Sequence, residues 1–171
     1  GEAKKMSFNL VKKYRDESKM KNYNAVMFNT ESYLREKHFL IAKICVGAIM
    51  AFKKKENLTL NNIIVTREWN WCLEQCNLLL LFLKKTPQDF ILSNGKSYSI
   101  KQMCKFAFEY FNLDYKDFIK TKFKKLKKNE VEHKKSDSLK YLRKNKINFR
   151  SKVFGKKIIH KMIRFYLNKK I

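Results

Sequence analysis

The side chains in this sequence with the chemistry to act on a partner are mostly lysines. They cluster at Lys53, Lys54 and Lys55, at Lys122, Lys124, Lys125, Lys127 and Lys128, at Lys134 and Lys135, and through Lys140, Arg143, Lys144, Lys146, Arg150, Lys156, Lys157 and Lys161. Cationic groups at that density attract phosphate oxygens without reading base sequence. Phe123, Tyr141, Phe149 and Phe154 lie among them and have faces on which bases could stack, although aromatic residues at helical spacing more often belong to a core. The three histidines, His38, His133 and His160, have no serine, cysteine or aspartate spaced as a triad or metal partner. Cys45, Cys72, Cys76 and Cys104 sit among apolar neighbours without a CxxC pair, so the expectation is four reduced, buried core thiols and no metal.

The net charge of +25 is far beyond what solubility needs and points to a polyanionic partner. Codon drift competes with that reading, because 34 of the 40 basic residues are lysines and Asn, Ile, Phe and Tyr are abundant while Gly and Pro are scarce. Drift does not account for only 15 acidic residues. The 171 residues, 44% hydrophobic, suffice for one core. The apolar run at 78–82 closes at Lys84 and Lys85, too short for a membrane span. The opening residues do not resemble a signal or transit peptide.

The elements that must position these groups alternate. Residues 3–20 read as an amphipathic helix with Met6, Leu10, Val11 and Tyr14 on one side. Strand-length runs at 23–28, 58–66 and 89–93 are interleaved with apolar helices at 38–54 and 69–85, the second apolar nearly all round and expected to be mostly buried, with Trp69. Asn94-Gly95 marks a tight turn, and Ser99 is placed to cap the helix beginning IKQMCKFAF. A strand at 117–120 precedes the lysine-rich stretch. Ser136 or Asp137 then caps a short helix through Arg143, and a last helix runs from about 151 to 168. The pattern is α/β, with no internal repeat. The expected layout is an α/β core over 1–120, a lysine-rich loop over 121–135 and a helical segment over 136–171 packing on the core.

Four stretches, VMFNTESYLREKHF at 26–39, NLTLNNIIVTREWNWCLE at 57–74, QDFILSNGKSYSIKQMCKFAFEYFNL at 88–113 and TKFKKLKKNEVEHKKSDSLKYLRKNKINFRS at 121–151, resemble in order and wording the C-terminal half of GDP-mannose 4,6-dehydratases, extended members of the short-chain dehydrogenase family. The resemblance implies a Rossmann-type α/β fold without its N-terminal dinucleotide-binding half. It matches Lys4 to the lysine of the catalytic Tyr-x-x-x-Lys motif, whose tyrosine falls ahead of Gly1. It also matches Glu31, Arg35, Arg67, Trp69 and Glu130 to family positions. Thr30 stands where the family has histidine, and Lys127 where it has the arginine of Arg-Pro-Ala-Glu-Val, a loss of bidentate phosphate geometry. No Gly-x-Gly-x-x-Gly turn occurs in the sequence, so no dinucleotide cofactor is expected.

The resemblance and the charge together lead to the expectation of a non-catalytic protein, built on a repurposed dehydratase-like fold, bound to RNA and neighbouring proteins in a large assembly and without a small-molecule substrate. A mitochondrial or other organellar ribosome is the natural candidate. Two alternatives are a fragment or split half of a GDP-mannose 4,6-dehydratase-type enzyme and an accessory subunit of a mitochondrial membrane complex.

Overall fold

The computed structural model describes residues 1–123 and 136–169; the segments 124–135 and 170–171 lie outside the described residues. In chain order the elements are α1 (Glu2–Glu17), β1 (Asn24–Met27), β2 (Asn29–Glu31), α2 (Leu40–Lys54), β3 (Leu58–Leu60), β4 (Thr66–Trp71), α3 (Cys72–Leu83), β5 (Asp89–Leu92), β6 (Ser97–Ser99), α4 (Ile100–Glu109), α5 (Tyr115–Phe118), β7 (Ile119–Thr121), α6 (Ser138–Lys144) and α7 (Lys156–Asn168). Among the described residues pairing is parallel for β1 with β5, β2 with β4 and β3 with β7, and antiparallel between β4 and β6, which makes β4 the middle strand of β2-β4-β6. The expected α/β class is what forms.

The core lies where α2, α4 and α7 meet. Each contributes one apolar stripe at helical spacing: Ile41, Ile44, Cys45, Ala48 and Ile49; Met103, Cys104, Ala107 and Phe108; Ile158, Ile159, Met162 and Ile163. At about 1.5–3 kcal/mol per large apolar side chain, this cluster is the main source of cohesion. Gly47 lets α2 approach β3, since a Cβ there would meet the Leu58 side chain at 2.7 Å. A second cluster of Leu78, Phe82, Phe90, Leu92, Leu142 and Ile147 holds α3 and α6 to β5, with the Phe82 and Phe90 rings stacked at 4.3 Å.

Several expectations hold in detail. Ser99 caps α4 in a reciprocal capping box: its Oγ accepts from the Gln102 N–H at 3.1 Å, while Gln102 Oε1 accepts from the Ser99 N–H at 2.8 Å. Trp69 is buried. Others need correction. The run 69–85 is not one helix, because Trp69, Asn70 and Trp71 complete β4 and are drawn into the sheet by pairing on β2. Apolar composition all round does not bury α3: Leu78 and Phe82 point inward, but Leu73, Leu80 and Leu83 are exposed. Cys76 on that helix is exposed and Cys72 only half-buried, whereas Cys45 and Cys104 are buried as expected. No residue of α1 is buried, and its stripe of Met6, Leu10 and Tyr14 faces outward. Asp137 occupies the N-cap of α6 without a side-chain cap bond.

Gly155 opens α7 at φ +49°, and a Cβ there would lie 2.6 Å from Cζ of Tyr98. Gly155→Ala combines left-handed backbone cost with a ring clash, so it should lower stability by about 3 kcal/mol. Urea unfolding checks this: the midpoint should drop, with little change in slope.

Candidate functional site

A cavity of about 500 Å³ opens between β2, the 32–39 loop, the start of α2, the β3 end and β4. Side-chain alternation along β4 decides what faces it. Arg67 and Trp69 line the cavity, while Glu68 and Asn70 turn into a buried polar network on the other side. Glu68 accepts from the Ser93 hydroxyl, from the Ser136 N–H at 2.5 Å and from the Ser136 hydroxyl at 2.9 Å. Asn70 Oδ1 accepts from the Asn94 N–H at 2.8 Å, and its Nδ2 donates to the Asn29 carbonyl at 3.1 Å. Asn94 Nδ2 donates in turn to the Trp69 carbonyl at 2.9 Å.

The loop after β2 supplies the second cation. The Arg35 guanidinium lies 3.6 Å over the Phe39 ring, and its carbonyl accepts from the Tyr166 hydroxyl at 3.2 Å, which ties the loop to α7. Glu31, only 3% exposed, places Oε2 3.6 Å from Arg35 Nε, too long for a hydrogen bond. Burial pushes the Glu31 carboxyl up to about 7 against the opposing pull of Arg35. Burial, with Cys45 and Glu31 adding to it, raises the Tyr166 hydroxyl to about 12.

Asn29, His38, Lys43, Asn61 and Asn62 complete the polar lining. The result is two guanidiniums, an ammonium and three amides around a concave space with an aromatic wall, a donor set suited to a phosphorylated, hydroxyl-rich ligand.

Four of the six family-matched residues, Glu31, Arg35, Arg67 and Trp69, are therefore brought to one cavity. Lys4 sits exposed on α1 and is not among the lining residues, and Glu130 lies outside the described residues. His38, which has no triad or metal partner by spacing, lines the cavity with Nδ1 3.1 Å from Glu36. Lys43, Asn61 and Asn62 carried no motif, since only the packing of α2 against β3 places them there.

The basic candidates are spread over separate elements. Lys53, Lys54 and Lys55 are exposed at the end of α2, and Lys122 follows β7. Lys140, Arg143, Lys144, Lys146 and Arg150 are exposed on α6 and the segment after it. Lys156 and Lys157 open α7, and half-buried Lys161 holds its ammonium 5.8 Å from the Trp71 ring. Lys124, Lys125, Lys127, Lys128, Lys134 and Lys135 lie outside the described residues.

The family model for GDP-mannose 4,6 dehydratase matches residues 1–162. The chain belongs to the GDP-mannose 4,6 dehydratase family. It is 32% identical over 108 residues to GDP-mannose 4,6 dehydratase 2 of Caenorhabditis elegans, covering 62% of this chain and 28% of that protein. To GDP-mannose 4,6 dehydratase 1 of Arabidopsis thaliana it is 26% identical over 153 residues, covering 88% and 42%. The chain thus spans well under half the length of these relatives.

Solved structures agree on the fold. The UDP-glucose 4-epimerase of Thermotoga maritima, bound to UDP-glucose, superposes with TM-score 0.79 at 14% identity over all of this chain and 54% of that one. RMD from Pseudomonas aeruginosa, complexed with NADPH, gives 0.78 at 10% identity over 94% and 52%.

These matches overturn the expectation of an RNA-bound ribosomal or other ribonucleoprotein component, and with it the expectations of a ribosomal RNA partner, of an organellar ribosome and of no small-molecule substrate. The family is one of dehydratase enzymes that the relatives' names tie to a sugar nucleotide, and the enzyme-fragment alternative fits the match. Among the described residues no helix is long and apolar enough to cross a membrane, and no group of three or more His, Cys, Asp or Glu could hold a metal ion.

The raised Glu31 value gives a pH test. A carboxyl whose folded value, about 7, exceeds the usual 4.5 binds its proton more tightly in the folded state, so its contribution is complete below pH 4.5 and is lost as pH rises through 7. The full loss is about 3 kcal/mol. Glu31→Gln should remove it: urea unfolding of the wild type should weaken relative to the variant between pH 5 and 8, with a constant gap sinking the assignment.

Proposed function

We propose that this chain is the sugar-nucleotide-binding part of a GDP-mannose 4,6-dehydratase-type enzyme, and that its own residues bind but do not dehydrate. The observation that carries the reading is the convergence of Glu31, Arg35, Arg67 and Trp69 on one cavity. The guanidiniums of Arg35 and Arg67, with the Lys43 ammonium, neutralise the diphosphate of a nucleoside diphosphate sugar. Asn29, Asn61 and Asn62 offer amide donors and acceptors to hydroxyls, and Phe39 and Trp69 give the apolar wall. Glu31, its carboxyl pushed up to about 7 by burial, can near pH 7 donate a hydrogen bond as an acid or accept one as a carboxylate.

A dinucleotide cofactor does not fit the residues present. Its pyrophosphate requires glycines that let the backbone close on it at a helix N-terminus. The four glycines here stand at 1, 47, 95 and 155; Gly47 lies against Leu58 inside α2, Gly95 against Leu139 and Gly155 against Tyr98. On the family resemblance the catalytic tyrosine also falls ahead of Gly1. Proton and hydride chemistry therefore calls on groups that this sequence does not supply.

Calorimetric titration with GDP-mannose tests the reading. The chain should bind saturably, Arg35→Gln and Arg67→Gln should each weaken binding about tenfold, near 1.4 kcal/mol apiece, and no 4-keto sugar should form with NADP present. Absence of saturable binding, or a double variant binding as tightly as wild type, would refute it.

A further inference from the structure

A larger concavity, about 690 Å³, lies between α4, the 110–114 turn, α5 and the first turn of α7. It shares no lining residue with the arginine cavity. Its lining carries four lysines from three elements, Lys101 and Lys105 of α4, Lys116 of α5 and Lys156 of α7, together with the carboxylates Glu109 and Asp114 and with Asn112, Leu113 and Tyr115. Two of the ammoniums have acidic company, Lys105 at 3.6 Å from Glu109 and Lys116 at 3.9 Å from Asp114, in pairs exposed enough to exchange for a better anion. Lys101 and Lys156 have no carboxylate within 4.0 Å among the described residues.

Those two lysines also stand where cations are least welcome. Lys101 is in the first turn of α4 and Lys156 is the first residue of α7, so each places positive charge at the positive end of a helix. The lysines and the two helix starts outweigh the Glu109 and Asp114 carboxylates and leave a positive potential over the concave surface, which an anion entering the space would relieve. His160, one turn beyond Lys156, registers that field. Its imidazole is held below its ordinary value by burial first, then by Lys156 and Arg164, and its ring meets Tyr110 of α4 at 4.9 Å.

We propose that this concavity is a second ligand site, separate from the sugar-nucleotide cavity, and that it takes a small molecule bearing a di- or triphosphate. Lysine ammoniums bind phosphate as point charges without the planar fork that fixes a carboxylate. The four ammoniums outnumber the Glu109 and Asp114 carboxylates of the same lining by two, an excess that the negative charges of such a group offset, and the Leu113 and Tyr115 wall leaves room for an attached organic moiety.

The test is titration with inorganic pyrophosphate at constant ionic strength, followed by calorimetry and by the His160 ring resonances. One saturable phase should shift those resonances and raise the His160 pKa, because the anion offsets Lys156. Lys101→Gln with Lys156→Gln should weaken that phase at least tenfold. The same charge change placed on α6, Lys144→Gln with Lys146→Gln, should leave it unaltered, and so should Arg67→Gln, which separates this site from the arginine cavity. His160 resonances indifferent to pyrophosphate would overturn the proposal. Equal weakening by the α6 pair would overturn it too, since binding would then follow net charge and not this site.

Discussion

Much of the molecule hangs on the buried polar side of β4. Glu68 and Asn70 are removed from water, and an uncompensated carboxylate or amide in that position would cost several kcal/mol. They are compensated by partners from three separate places: the β2 backbone through Asn29, the turn after β5 through Ser93 and Asn94, and the chain at Ser136. Because each partner must stay in place for the others to be satisfied, the network fixes the position of β4 against β2 and of α6's entry against both. Period-two alternation then leaves Arg67 and Trp69 no choice of face. The candidate site is thus set by polar groups that do not line it.

The same logic holds the described residues on either side of 124–135. The Lys122 and Phe123 N–H groups donate to the Leu60 and Asn61 carbonyls at 2.9 and 2.8 Å, and Ser136 donates to Glu68. Leu60 and Asn61 line the cavity, and Glu68 neighbours two residues that do. A sequence reading that takes the segment as the functional centre sees its charge but not these anchors.

How much was legible in the sequence depended on whether a signal was local. The Ser99 cap, the turn at Asn94-Gly95, the helices that become α2, α4 and α7 and the α/β order are local patterns, and they appear as read. The split of 58–85 into β3, β4 and α3 was not local: Trp69 and Trp71 look like helix in an apolar run and become strand because they pair with β2, while Thr66, Arg67 and Glu68 before them pair with β6. Burial on α1 and α3 was misjudged for a related reason, since apolar residues give the capacity to be buried while packing decides which of them are. At the site, Glu31, Arg35, Arg67 and Trp69 were legible only through the family resemblance; Lys43, Asn61 and Asn62 needed the fold. The charge misled most, because it weighed toward RNA a chain whose family match lies elsewhere.

That charge becomes informative once it is divided by residue type. In a composition where lysine is the default cation, 34 against six arginines, a single lysine says little unless several meet in one concavity, whereas an arginine offers a planar, many-donor group that a fixed geometry can use. Arg15 holds Asp89 at 2.8 Å and so fastens α1 to β5. Arg35 stacks on Phe39 beside Glu31, and Arg67 lines the same cavity from β4. Half of the arginines thus have geometric tasks, and two of those three converge on the space that the family-matched residues enclose. Lysines supply the field around the molecule; at the cavity itself it is the guanidinium forks, held by an aromatic ring and a strand, that give the field a direction.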